Sequence, residues 1–156
     1  MYDSSFHLTK TFTDPTVPLG YAPFGIENIE GNLYVTFALQ DDGKHDDVKG
    51  PGHGFIDVFA TDGTWKSRFA ANGVLDSPWG LALAPPSFGK FAHHLLVGNF
   101  GDGHINSFDF PSGISEGPLK RHSGTTDDHQ RLVGTQVCKR RSLRQKEPPA
   151  FHRGHR

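Results

Sequence analysis

Pro23-Phe24-Gly25-Ile26 and Pro78-Trp79-Gly80-Leu81 carry one pattern twice: a proline, a large aromatic, a glycine and a branched apolar residue. The segments downstream of the two copies match as well. Leu33-Tyr34-Val35 corresponds to Leu95-Leu96-Val97, and Gly54-Phe55-Ile56-Asp57-Val58-Phe59 corresponds to Gly103-His104-Ile105-Asn106-Ser107-Phe108. The spacing between copies drifts because the second copy has the longer first connection (85–93) and the first copy the longer second one (40–53). Loops at a surface can grow without disturbing the ladders they join, so insertions confined to connections mark a repeated structural unit.

The segments between those connections are short, rich in β-branched and aromatic residues, and bounded by Gly, Asn, Asp and Pro, which predicts strands. They are 26–29, 33–38, 54–60, 64–70, 80–84, 94–99 and 104–110. Asp62-Gly63 and Pro111-Ser112-Gly113 are expected to turn the third strand of each copy into a fourth, since Asp-Gly favours the positive φ of a hairpin. A four-stranded unit of about 50 residues is the size of a propeller blade. The expected fold is all-β: about two four-stranded antiparallel blades of a β-propeller, at 23–77 and 78–119. Phe24 and Trp79 are then expected to fill space between neighbouring blades, or, in the alternative, to be core aromatics of a sandwich. Residues 1–22, punctuated by Asp14-Pro15, Val17-Pro18 and Ala22-Pro23, read as an extended lead-in.

The chain has 156 residues and a formal charge of −1, which is a cancellation. Residues 1–119 hold 6 Lys and Arg against 14 Asp and Glu, and residues 120–156 hold 10 against 3. The first part also carries 12 of the 13 Phe, so it alone can build a core. His122–Arg156 shows neither helical nor strand periodicity, and residues 120–156 read as an irregular or disordered basic tail, in which Lys139-Arg140-Arg141 is a candidate phosphate-binding or nuclear-localisation cluster. The genetic code offers a second reading. Codons permitted for Arg121–Arg156, read one base along, can spell GLWALKF and then NLLLFTAG. The first echoes Trp79-Gly80-Leu81-Ala82-Leu83 and the second His94-Leu95-Leu96-Val97-Gly98-Asn99, about one unit further on. The tail is therefore expected to be out of frame, which makes Cys138, the sole cysteine, an accident of translation.

Several stretches taken in order resemble one family: Pro23-Phe24-Gly25-Ile26, Leu33-Tyr34-Val35-Thr36-Phe37-Ala38, Lys44-His45-Asp46-Asp47-Val48 with Gly50-Pro51-Gly52, Ser77-Pro78-Trp79-Gly80-Leu81-Ala82-Leu83-Ala84-Pro85, and Leu95-Leu96-Val97-Gly98-Asn99-Phe100-Gly101-Asp102-Gly103. Together they resemble an uncharacterised, largely bacterial family of exported propeller proteins related to the NHL-repeat and six-bladed propellers. The likeness covers about residues 2–120. It implies a longer parent with further blades, a secreted or extracytoplasmic location, and no established activity. This sequence shows no basic-then-apolar export signal after Met1, so it reads as a fragment that starts inside the repeat array.

Two stretches could hold a hard cation. Asp41, Asp42, Asp46 and Asp47 place four carboxylates in seven residues, in a pattern that does not follow the EF-hand spacing. The alternative there is a solvated loop. Asn99 and Asp102 follow an apolar strand and are placed to reach one rim of a propeller, where six-bladed propeller hydrolases hold calcium against a lactone or ester carbonyl. Their alternative is a strand-end cap and a tight turn. Calcium is the one cofactor these residues suggest. There is no Gly-x-Ser-x-Gly elbow and no phosphate loop, since Gly50-Pro51-Gly52-His53-Gly54 lacks the Lys-Ser/Thr step. The acidic body opposes nucleic-acid binding, and no apolar run reaches the about 18 residues of a membrane span. The expected function is a noncatalytic binding or scaffold module contacting a protein or glycan through blade loops. The alternative is part of a calcium-dependent lactonase or esterase.

Overall fold

The structure is a computed structural model that describes residues 1–110 and 112–120. The tail expectations, Cys138 and the Lys139–Arg141 cluster included, lie outside the described residues, as does Pro111 of the second hairpin turn. Eight strands form two four-stranded antiparallel sheets, each in simple sequence order. The first sheet holds β1 (Tyr21–Ile29), β2 (Asn32–Leu39), β3 (Gly54–Ala60) and β4 (Trp65–Ala71). The second holds β5 (Pro78–Leu83), β6 (Leu95–Asn99), β7 (Ile105–Phe108) and β8 (Ser115–Pro118). A 3₁₀ turn at Gly89–Phe91 in the β5–β6 connection is the one helical element among the described residues.

The period-2 alternation of a strand divides the first sheet into two apolar faces. On β2 and β3, Tyr34, Ile56 and Val58 point to one side and join Ile29 and Phe69. Leu33, Val35, Phe37, Phe55 and Phe59 point to the other. The first face packs against Leu81, Leu95, Val97 and Phe108 of the second sheet, with Leu75 of the β4–β5 crossover buried between them. Burying a Leu, Val or Phe side chain stabilises by about 1.5–3 kcal/mol, so this shared core holds the sheets together. The second face is covered in part by Phe12 and Val17 of the lead-in.

Residues that correspond in the repeat do not occupy the same core. Leu33, Val35 and Phe59 lie on the far face of the first sheet, whereas their counterparts Leu95, Val97 and Phe108 lie in the core between the sheets. Ile26 is 61% exposed, while its counterpart Leu81 is 4% exposed. Unlike faces of the two units therefore meet, and the sheets stack head to tail.

β1 and β5, the first strands of the units, lie side by side. Their approach explains Gly25, where a Cβ would run into the carbonyl oxygen of Trp79. Strand boundaries depart from expectation: β5 starts at Pro78 rather than 80, β7 ends at Phe108 rather than 110, and the largest differences are in β1 and β8. β1 starts at Tyr21, ahead of Pro23, because a bulge between Pro23 and Gly25 accommodates the proline. β8, the Ser115–Pro118 segment, pairs with β7 although it has no β-branched or aromatic side chain. Residues 1–22 are not uniformly extended: a turn at residues 4–5 brings Tyr2 and Leu8 together as an antiparallel bridge.

Candidate functional site

The bulge at Pro23/Gly25 recurs at Pro78/Gly80, so Phe24 and Trp79 are the bulged residues of equivalent strands. A bulge leaves its extra residue out of the ladder and re-aims the side chain. Here the two rings meet across the units, with centroids 6.5 Å apart. Phe100, just past β6, completes a trio at 5.9 Å from Phe24 and 6.3 Å from Trp79, in both cases edge to face. Lys49 Nζ lies 5.4 Å from the Phe100 ring centre. Trp79 is 37% and Phe100 51% exposed. The expectation that Phe24 and Trp79 fill space between the units is met in position but not in depth, because they form an open aromatic rim.

A buried polar layer sets the height of this rim. The β4–β5 crossover passes through Asn72 and Ser77, both at positive φ. Ser77 is fully buried, its amide donates to His53 O, and its carbonyl accepts from Phe100 N at 2.9 Å. Asp76, 5% exposed, accepts from Gly50 N at 2.8 Å, and its backbone carbonyl accepts from Gly101 N. The crossover thus anchors both loops that flank Phe100 and Lys49.

The residues singled out as cation ligands are distributed through this scaffold. Asn99 is buried and its Nδ2 donates to Val74 O at 2.7 Å, so it clamps the crossover, while its Oδ1 has no partner. Asp102 Oδ1 accepts from His104 N at 2.9 Å and Oδ2 lies 3.0 Å from His104 Nδ1. Burial raises the Asp102 carboxyl, but the His104 amide and imidazole together with Asn99 outweigh it and hold the group below its ordinary value. In the acidic loop, Asp41 Oδ1 accepts from the amides of His45 (2.8 Å) and Asp46 (3.4 Å), and Asp46 Oδ1 accepts from Asp47 N at 3.1 Å. Asp42 stays exposed, and Asp47 pairs with Gln40 through a backbone bridge. Among the described residues, no three His, Cys, Asp or Glu side chains converge as a metal-binding group.

The strongest charged constellation escaped the sequence reading. Asp57, fully buried in the middle of β3, is gripped by Arg68 of β4 through Nε–Oδ1 at 2.9 Å and Nη2–Oδ2 at 3.2 Å. Arg68 Nη2 also donates to Asp14 Oδ2 at 3.3 Å and Thr16 Oγ1 at 3.1 Å, and the guanidinium stacks 4.0 Å from the Phe55 ring centre. One cation faces two buried carboxylates. Burial pushes Asp57 up to about 6 against the pull of Arg68, and the neighbouring Asp14 adds to the rise. Burial raises Asp14 too, but Asp57, Thr16 and Arg68 together hold it below its ordinary value. A charged residue inside the apolar run Gly54-Phe55-Ile56-Asp57-Val58-Phe59 was the available signal, because a buried charge requires a partner.

With this geometry in place, similarity to known proteins narrows the context. The chain is similar to three uncharacterized proteins of Acanthamoeba polyphaga mimivirus. It is 37% identical to protein R648 over 131 residues, which is 80% of this chain and 32% of that protein. It is 42% identical to protein L690 over 113 residues (72% and 30%) and 38% identical to protein R640 over 117 residues (70% and 22%). The chain thus spans a third or less of the length of these relatives. No family profile matches it, and no solved structure matches it significantly.

Proposed function

We propose that the chain is a two-unit section of a β-propeller of the NHL-repeat and six-bladed kind, acting as a noncatalytic binding or scaffold module that contacts a protein or glycan. The observation that carries this reading is the meeting of unlike faces. Two units related by a two-fold axis, as in a closed sandwich, join like faces and stop. Units joined head to tail keep a complementary face at each end and continue until rotation closes a ring. The length of the relatives leaves room for further units. Each unit sends one bulged aromatic to the same end of the stack, so a ring built this way gathers rings around its mouth. Such faces take up the apolar side of a sugar or of a protein side chain, and Lys49 adds a cation beside them. The parent is read as secreted or extracytoplasmic on the family resemblance alone.

The test is binding to an array of glycans by the chain and by its Trp79→Ala/Phe100→Ala variant. The reading expects binding by the parent and its loss in the variant with the circular dichroism spectrum retained. Calcium-dependent turnover of lactones or esters, with no rim-dependent binding, would overturn it in favour of the hydrolase reading. One observation favours that second reading: Asn99 Oδ1 is buried without a partner close to Asp102. Calcium takes 6–8 oxygens, of which this stretch offers two side chains, so other units would have to supply the rest.

A further inference from the structure

Phe12 lies on Phe59 with ring centroids 6.1 Å apart, and Phe69 lies on Phe108 with centroids 6.2 Å apart. Phe59 and Phe108 are counterparts in the repeat, so Phe12 of the lead-in holds against the first sheet the place that Phe69 of β4 holds against the second. Two further contacts repeat the relation. A Cβ on Gly63 would run into the Phe12 ring, and a Cβ on Gly113 would run into the Phe69 backbone; Gly63 and Gly113 are the turn glycines of the two third-to-fourth-strand hairpins. Tyr2 bridges Leu8 across residues 3–7 ahead of Phe12, and Phe59 pairs with Trp65 across residues 60–64 ahead of Phe69. The polar contacts agree as well. Asn106 donates to Val74 O in the segment that leads into β5, and its counterpart Asp57 reaches, through Arg68, Asp14 and Thr16 in the segment that leads into β1.

We infer that residues 2–12 are the outer hairpin of a further copy of the unit, and that the far face of the first sheet is the docking surface for the remaining strands of that copy. This rests on the head-to-tail reading and extends it to a specific surface and occupant. Beside the lead-in, a groove of about 550 Å³ lined by Phe12, Val17, Tyr21, Val35 and Phe37 lies open on this face, with Ile26 exposed at its margin. On the second sheet the corresponding surface is filled by Tyr34, Ile56 and Val58 of the first sheet's β2 and β3. The occupant is therefore an antiparallel sheet presenting apolar side chains at those positions, covalently continuous with Tyr2, rather than a small ligand. The long mimivirus relatives have the additional chain length that such a unit requires.

The experiment adds a second copy of residues 18–57 in front of Met1 of the full chain, so that the native hairpin becomes the end of the added unit in unbroken register. Hydrogen exchange is then measured residue by residue. The inference expects the added strands to be protected as well as the native β1–β3, the native β1 around Ile26 to slow at least tenfold, and the melting temperature to rise. In the unextended chain, Phe12→Ser is expected to accelerate exchange of the Tyr2–Leu8 hairpin and of the Phe59 amide. If the added strands exchange like free peptide while Phe69 and Phe108 remain in contact, the inference falls and the stacking stands. If Phe69 and Phe108 are not in contact in the parent chain, both fall.

Discussion

Replacing Arg68 with alanine should be among the most damaging single changes to the first sheet, by an amount that depends on pH. The side chain makes two hydrogen bonds to Asp57 (2.9 and 3.2 Å) and reaches Asp14 at 3.3 Å, and neither carboxylate has appreciable solvent contact. Removing one partner of a buried ion pair costs about 3–5 kcal/mol, because the remaining charge is stranded. The lost stacking on Phe55 adds about 0.5–1 kcal/mol. Against a typical domain stability of about 5–15 kcal/mol, the variant is close to unfolding at neutral pH. A stranded carboxylate escapes by taking a proton, and this fixes the sign. Asp57 already has its folded value raised to about 6, so its favourable contribution is fully present below the ordinary carboxylate range and is lost as pH rises through about 6. Without the guanidinium the value rises further and the loss extends to higher pH. The destabilisation measured by urea unfolding, monitored by Trp65 and Trp79 fluorescence, should therefore be smallest near about pH 5 and largest near about pH 8. Adding Asp57→Asn should recover part of it, since the two changes act on one pair. A loss below about 1 kcal/mol, or one that does not change with pH, would show that Arg68 does not neutralise buried carboxylates.

Three other outcomes rest on separate parts of the molecule. Gly25→Ala places a Cβ against the Trp79 carbonyl, so it should destabilise by about 1–3 kcal/mol through displacement of β1 from β5, whereas Gly31→Ala strains the β1–β2 turn at its positive φ but meets no atom of β5 and should leave the β1–β5 contact in place; equal exchange rates at the β1–β5 contact in wild type and Gly25→Ala would contradict this. Asn99→Ala withdraws one of the two side-chain donors to the Val74 carbonyl, Asn106 keeping the other, and should cost about 0.5–1.5 kcal/mol with or without calcium; a calcium-dependent loss would instead make Asn99 a ligand. Resequencing the coding locus on both sides of codon 120 should reveal a single-base change that restores the GLWALKF reading; an intact frame would return residues 120–156 to a genuine basic tail.

How much of this was legible in advance depends on the range of the forces involved. β3 reads directly from Gly54-Phe55-Ile56-Asp57-Val58-Phe59-Ala60, because strand propensity and the Gly and Asp residues that bound the segment are local signals. β8 does not, because Ser115-Glu116-Gly117-Pro118 becomes a strand only through its ladder with β7. The early start of β1 was hidden by Pro23, whose tolerance rests on a bulge set by the partner strand. Asn99 and Asp102 were visible as polar residues after an apolar strand, yet whether their atoms face a cation, a crossover carbonyl or a histidine is decided by segments distant in sequence. The Asp14–Arg68–Asp57 network was beyond reach for the same reason: three residues from the lead-in, β4 and β3 meet only after the sheet has formed. The repeat, by contrast, was legible as a pattern but silent on which faces meet.

That meeting of unlike faces is the central claim, and nuclear Overhauser contacts between assigned aromatic and methyl groups test it most directly. The head-to-tail stack predicts contacts from Phe69 to Phe108 and from Tyr34 to Phe69, together with a separate set joining Phe12 to Phe59. Contacts from Phe37, Phe55 or Phe59 to Val97 or Phe108 would place like faces together, as in a closed sandwich, and would contradict it.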